Sequence, residues 1–460
     1  MPVSDSADAP NPSFVVVEIL DRAAILSVEY TIADQIGIPP QSLFTLVEAP
    51  GAAGPGKIQA ILSRAAYKAL LLKHGGDPGA VTAALRDMGG VASATLTRAD
   101  AVRTLLVEGA AVPHPAAADA ADGQWYLDTI NVAGAWRLLG PSRDALAWKD
   151  VRVGHIDTGI TEHPVFGSGP DRWVRWDEGI NYKETGRLPI DPLGSAQHPN
   201  GYPGFPGHGT RTASVLAGWS PDQPFYGVAP KVTVVPYRIT DTVVIDFFGN
   251  ATQITRALRH AISDAGCHVL SISLGDPCDP AEGAGAAIDD AYELGVIVVA
   301  AAGNVTSEIT YPGRFSRVIT AGGCTAGLEP WNNGSRGVKV DVSAPADQIF
   351  RATAEMKNRE VHYFYGGDGD GTSFATAMVA GAAALWRAYH HDRLPLTYPK
   401  GWQIVEAFRH CLRKSAARPP GWPTSLYGAG ILNVEELLRY PLPPADSLTY
   451  QTRLAAREKV

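Results

Sequence analysis

Three polar residues stand in settings suited to nucleophilic catalysis. Ser373 lies in the run Gly371-Thr372-Ser373-Phe374-Ala375-Thr376-Ala377, at the start of a small-residue apolar stretch. His208 lies in Gly207-His208-Gly209-Thr210, and Asp157 follows the apolar run 151–156 and precedes Thr158-Gly159. Singly, each has an ordinary structural role: the serine as a helix N-cap, the aspartate as a turn residue, the histidine as a packed side chain beside glycine. Together their chemistries complement one another. A serine hydroxyl is a poor nucleophile until an imidazole takes its proton, and that imidazole needs a carboxylate to hold its tautomer. A serine at a helix N-terminus also feels the positive end of the helix dipole, and Gly371 lets a substrate approach closely. The chain order Asp, His, Ser is one of the known orders for such a triad.

The elements that would position these residues begin near residue 124. Short apolar runs at 151–156, 232–237, 268–273, 296–302 and 318–321 read as strands; 250–265, with Asn250 as N-cap, and 281–294 read as helices. Continuous apolar strands alternating with helices predict an α/β fold, a parallel sheet covered by helices on both faces. Such sheets carry their sites at the carboxyl ends of strands. The stretch 374–386 reads as a buried helix. Upstream, 14–20, 24–30 and 43–47 read as strands and 57–73 as a helix. Asp77-Pro78 opens another helix that stops at Gly89-Gly90, followed by a strand at 91–97 and a short helix. The expected organisation is a flexible N-terminus 1–12, a smaller α+β domain 13–112, an Ala-rich linker 113–123, a catalytic domain 124–440 and a tail 441–460.

These motifs resemble those of the subtilisin-like serine proteases, over residues 124–440. Ile156-Asp157-Thr158-Gly159-Ile160 looks like the family's aspartate motif, with His163-Pro164 as its continuation; His208-Gly209-Thr210 looks like the histidine motif and 371–376 like the serine motif. The run 299–304 resembles the strand and turn that carry an oxyanion-hole asparagine, here Asn304. Gly227-Val228-Ala229-Pro230, Tyr311-Pro312-Gly313 and the stretch 427–433 add structural similarity, and 124–136 resembles the start of a mature domain.

The resemblance implies a serine endopeptidase in which Ser373 attacks the scissile carbonyl, His208 is base and then acid, Asp157 orients His208, and Asn304 with the Ser373 N–H holds the oxyanion. It implies an extended peptide or protein substrate against Ser273, Leu274 and Gly275, a pocket walled by Ala301, Ala302 and Gly303, and Thr310 near its base. No acid clearly occupies that base, although Glu308 is close in sequence. No cofactor is implied for the chemistry, and a structural calcium is possible. Residues 13–112 have the size and alternation of the family's inhibitory propeptide, which would make them an intramolecular partner, with a retained regulatory domain as the alternative. A peptide transpeptidase or macrocyclase would share the acyl-enzyme, and a catalytically silent binding module would have no need of all four site residues.

Four features depart from the family pattern. Arg211 stands where a second histidine is usual. The loop 161–207 is long and carries Trp173, Trp176, Tyr182, Tyr202 and Phe205, as a packed surface loop or a rim for a partner or substrate. Asp276-Pro277-Cys278-Asp279-Pro280 replaces small residues beside the expected groove. The segment 364–371 places two acids before the serine and reads as an exposed turn, with calcium binding as the alternative.

Composition bounds the remaining classes. The chain has 460 residues, 39 Lys and Arg against 47 Asp and Glu, and a net charge of −8. This acidity argues against a nucleic-acid partner. With 45% hydrophobic residues the chain can bury a large core, and 48 Gly with 35 Pro predict many tight turns. No window is long and apolar enough for a membrane span. The polar start lacks a signal-peptide pattern, which points to the cytoplasm, or to secretion if a leader has been removed. Four cysteines are too few for a disulfide scaffold and read as buried thiols, with a Cys267–Cys278 bridge as the alternative.

Overall fold

A computed structural model describes residues 13–20, 22–36, 44–47, 58–62, 64–98, 123–194, 204–220, 224–245, 251–276, 283–304 and 308–453. Residues 1–12, the expected helix after 97, nearly all of the linker 113–123, Tyr202, Asn250 and Cys278 lie outside them. The chain divides into two compact units at about residue 112.

In the first unit, β1 (Ser13–Ile19), β2 (Phe44–Val47), β3 (Ile58–Leu62) and β4 (Val91–Arg98) form an antiparallel sheet in the order β2-β3-β1-β4. Helices α1 (Arg22–Ile36), α2 (Arg64–Lys73) and α3 (Pro78–Arg86) accompany it. Val15, Val17 and Ile19 alternate along β1 into a core shared with Val28, Ile32, Leu70, Val81 and Leu85. Asp77 caps α3 by accepting from the Gly79 N–H at 2.8 Å. Two expectations are corrected. The run 24–30, expected as a strand, lies inside α1, because Val28 and Ile32, four apart, present one buried helical face. The run 57–73, expected as one helix, contains β3 and then α2, because 58–62 pairs with both β1 and β2.

The second unit contains α4 (Trp125–Thr129), α5 (Val132–Leu139), β5 (Arg152–Asp157), β6 (Ile180–Asn181), α6 (His208–Ala217), β7 (Trp219–Ser220), β8 (Phe225–Tyr226) and β9 (Thr233–Arg238). It continues through α7 (Ala251–Ser263), β10 (Val269–Ile272), α8 (Ala284–Glu293), β11 (Ile297–Ala301), β12 (Ile319–Cys324) and β13 (Val342–Pro345). A hairpin of β14 (Ile349–Lys357) and β15 (Glu360–Gly369) leads into α9 (Thr372–Tyr389), and α10 (Gly401–Ser415) and α11 (Val434–Arg439) follow. The seven-stranded sheet has the order β13-β12-β11-β10-β5-β9-β6, and every pairing in it is parallel. Alternate side chains serve opposite faces, as the pleat requires. Val153, Val269, Ile297 and Val299 pack toward α9, while Ile156, Leu270, Ile272 and Val298 pack toward α7 and α8. Burial on both faces explains the uninterrupted apolar runs.

Three further features refine the expectations. Residues 364–369 belong to strand β15 of a hairpin and are not an exposed turn, and the Asp370 side chain accepts from the Gln348 N–H at 2.8 Å. The chain beyond 441 follows the body as far as Arg453, whose carbonyl accepts from the Ser316 N–H at 2.9 Å. Cys267, Cys324 and Cys411 are free and buried. No helix among the described residues is long and apolar enough to cross a membrane.

Candidate active site

The candidate residues come from three strand ends and two helix starts. Asp157 closes β5, Ser273 follows β10, and Asn304 follows β11 by three residues. Ile272 pairs with Ile156 and with Ala300, so these ends lie side by side at the carboxyl edge of the sheet. His208 is the first residue of α6 and Ser373 the second of α9.

His208 Nδ1 and Asp157 Oδ1 are 2.7 Å apart. Asp157 is fully buried, and its Oδ1 also accepts from the Thr158 N–H at 2.7 Å. Burial alone would raise the Asp157 pKa, but the His208 charge and hydrogen bond, with the Thr158 N–H, hold it below the usual carboxylate value. The carboxylate is therefore ionised and paired to the imidazole. Beneath it, the Thr212 hydroxyl lies 3.0 Å from His155 Nε2. Burial pushes His155 down to about 4, which keeps it neutral beside the pair.

Ser373 is tied to Ser273 in both directions. Its hydroxyl donates to the Ser273 carbonyl at 3.1 Å, and the Ser273 hydroxyl donates to the Ser373 carbonyl at 2.9 Å. The Ser373 hydroxyl hydrogen thus points to the end of β10. Asn304 Oδ1 accepts from the Thr372 N–H at 2.8 Å and from the Thr372 hydroxyl at 2.7 Å. Its acceptor atom is thereby committed, which leaves the Nδ2 donors for other work.

Around the expected groove, Thr310 stands against both pocket walls. A Cβ at Gly275 would lie 2.5 Å from Thr310 Oγ1, and one at Gly303 would lie 2.9 Å from Thr310 Cγ2. Ala301 and Ala302 are buried, as is Leu274. Glu308 pairs with Arg314 at 3.0 Å, so its charge is already matched. Gly275 donates to the Val243 carbonyl at 3.1 Å and accepts from the Ile245 N–H at 3.0 Å. Trp173 and Trp176 of the long loop are buried, their indole N–H groups donating to the Ala217 and Ile160 carbonyls at 2.9 and 2.7 Å. Among the described residues no cluster of three or more His, Cys, Asp or Glu could hold a metal ion. Sequence reasoning missed Thr158, Asp191 and Thr212. The hydroxyl directly after Asp157 was a usable signal for the first; Asp191, far from His208 in sequence, offered none.

A model of the subtilase family matches residues 148–430. This chain belongs to the subtilase family. Subtilisin BL of Lederbergia lenta is 29% identical over 295 residues, covering 64% of this chain and 93% of that protein. Mycosin-1 of Mycobacterium tuberculosis (strain ATCC 25618 / H37Rv) is 30% identical over 333 residues, covering 60% of this subtilase and 70% of mycosin-1. The crystal structure of MycP1 with the N-terminal propeptide removed shares the fold at a TM-score of 0.53 and 22% identity, covering 70% of this chain and all of that one (100%). The subtilase is a serine-type endopeptidase, and the chemistry of its family needs no cofactor.

Proposed function

We propose that this subtilase hydrolyses peptide bonds through an acyl-enzyme formed on Ser373. The Ser373 hydroxyl attacks the scissile carbonyl as His208 Nε2 takes its proton, and the carbonyl electrons move onto oxygen. Asn304 Nδ2 and the Ser373 N–H donate to that oxyanion. The intermediate collapses, His208 gives the proton to the leaving amine, and water releases the acyl group by the same sequence. The observation that carries the reading is the 2.7 Å bond between His208 Nδ1 and the buried Asp157 carboxylate. That bond fixes the tautomer that leaves Nε2 free to accept.

A substrate strand along Ser273, Leu274 and Gly275 takes over the peptide groups of Gly275 now bonded to Val243 and Ile245. Thr310, lodged between Gly275 and Gly303, makes the pocket shallow, and the Glu308–Arg314 pair supplies no free acid for a basic side chain. Both support a preference for small, uncharged side chains before the scissile bond. We also propose that the N-terminal unit is an inhibitory segment released through the 113–123 linker; its compactness supports this, as does the propeptide named for MycP1.

Digestion of a peptide library by the full chain, with the Ser373→Ala variant as control, tests the reading. The expected result is cleavage after small residues by the wild type and none by the variant. Cleavage by both, or by neither once the N-terminal unit has been removed, contradicts it. N-terminal sequencing of active protein tests release, and an intact N-terminus on the active species contradicts that part.

A further inference from the structure

Outside the residues assigned above, one buried carboxylate touches the supports of both Asp157 and His208. Asp191, only 3% exposed, sits in the long loop that precedes His208. Its Oδ2 accepts from the Thr158 hydroxyl at 2.6 Å and from the Gly207 N–H at 2.8 Å. Its Oδ1 accepts from the Leu193 N–H at 2.9 Å, and its carbonyl accepts from the Thr161 hydroxyl at 2.8 Å.

Thr158 completes the arrangement. Its N–H donates to Asp157 Oδ1 at 2.7 Å, and its hydroxyl oxygen accepts from the Gly209 N–H at 3.0 Å. The N–H groups on either side of His208, those of Gly207 and Gly209, therefore end on Asp191 and Thr158, which are bonded to each other. Arg238 Nη1 donates to the Thr158 carbonyl at 2.7 Å and closes the remaining side. The packing leaves no slack. A Cβ at Gly209 would lie 2.2 Å from the Gly159 carbonyl oxygen, and one at Gly159, whose φ is +101°, would lie 2.8 Å from the Asp191 nitrogen.

We propose that Asp191, acting through Thr158 and Gly207, is a positioning residue that holds the Asp157 turn in register with the first turn of the His208 helix. The proposal rests on the reading above, in which Asp157 and His208 act on Ser373. The physical reason is that backbone N–H groups at the start of a helix have no partner within it. Here a single carboxylate and one hydroxyl satisfy two of them, and the same hydroxyl belongs to the residue after the catalytic carboxylate. Without Asp191, the loop and both catalytic elements lose their common anchor, and His208 can shift against Asp157. A shift of about 1 Å at reacting groups costs on the order of 100-fold in rate.

The test uses the full chain and its Asp191→Ala, Asp191→Asn, Thr158→Val and Asp191→Ala/Thr158→Val variants. Each is measured for kcat and KM on a peptide and for the rate of fluorophosphonate labelling of Ser373. Asp191→Ala should slow both kcat and labelling about 100-fold with KM nearly unchanged. Asp191→Asn keeps one acceptor oxygen and should restore much of the rate. Thr158→Val, nearly isosteric, removes two hydrogen bonds, one to Asp191 and one from Gly209, and should cost roughly ten- to 100-fold. The double variant should lose less than the product of the two single losses, because both changes cut the Thr158–Asp191 bond. If Asp191→Ala does not fold, Thr158→Val carries the test. A folded Thr158→Val or Asp191→Ala variant with wild-type kcat, a loss confined to KM, or fully additive losses would each overturn the role of Asp191. A wild type that takes no label contradicts the Ser373 mechanism itself and the proposal with it.

Discussion

Asp157, His208, Ser373 and Asn304 each owe their behaviour to a neighbour that removes alternatives. Asp157 stays ionised at full burial because the imidazole charge and the Thr158 N–H outweigh its desolvation. Asn304 keeps its Nδ2 donors available because Thr372 occupies its acceptor. On this basis Asn304→Ala should lower kcat about 10²- to 10³-fold with little change in KM, measured by steady-state peptide hydrolysis. An equal loss appearing in KM would place Asn304 in ground-state binding instead. Thr310→Gly should deepen the pocket and raise kcat/KM for substrates with a large apolar side chain before the scissile bond. Unchanged discrimination between alanine and phenylalanine there would remove Thr310 from the pocket base.

The strand ends and helix starts around the site were legible because the sheet is buried on both faces, which writes long apolar runs into the sequence. The candidate residues follow those runs directly, as with Asp157 after 151–156. Two kinds of element were not legible. The run 24–30 is rich in residues that favour strands, yet the four-residue spacing of Val28 and Ile32 in the core makes it helical. The run 58–62 carries Gln59 and Ala60, which suit a helix, yet it lies between two strands that pair with it. Asp191 escaped for another reason: its bond to Gly207 spans 16 residues, and a loop hides such a contact from any periodic pattern. Helix α9 is the element on which Ser373 depends most, and its far end is anchored by Trp386, which is fully buried and packs edge-on to Phe408 at 5.4 Å. Trp386→Ala should destabilise the protein by about 3–5 kcal/mol, read as a lower urea midpoint at unchanged slope. A midpoint equal to that of the wild type would contradict the packing account.

Across the whole molecule, the buried His155, His163 and His390 and the half-buried His268 tie stability to pH. Burial holds His155, His163, His268 and His390 each at about 4. An unfolded imidazole titrates at about 6.5. Between these values the unfolded chain binds protons that the folded chain refuses, so stability is full above the unfolded value and falls as pH drops toward 4. Asp191, raised above the usual carboxylate value by burial, works the opposite way in the acidic part of that window, one group against four. Thermal melting of the Ser373→Ala variant, which avoids self-digestion, should therefore shift downward steadily from neutral pH to about 4.5. A flat profile would contradict the burial of these imidazoles as neutral groups.

The proposed mechanism turns on one covalent event, and mass spectrometry of the fluorophosphonate-treated full chain observes it directly. A single adduct is expected on the peptide containing Ser373, formed by the wild type, absent from Ser373→Ala and strongly slowed in His208→Ala. An adduct on another serine, or a wild type that remains unmodified, would contradict it.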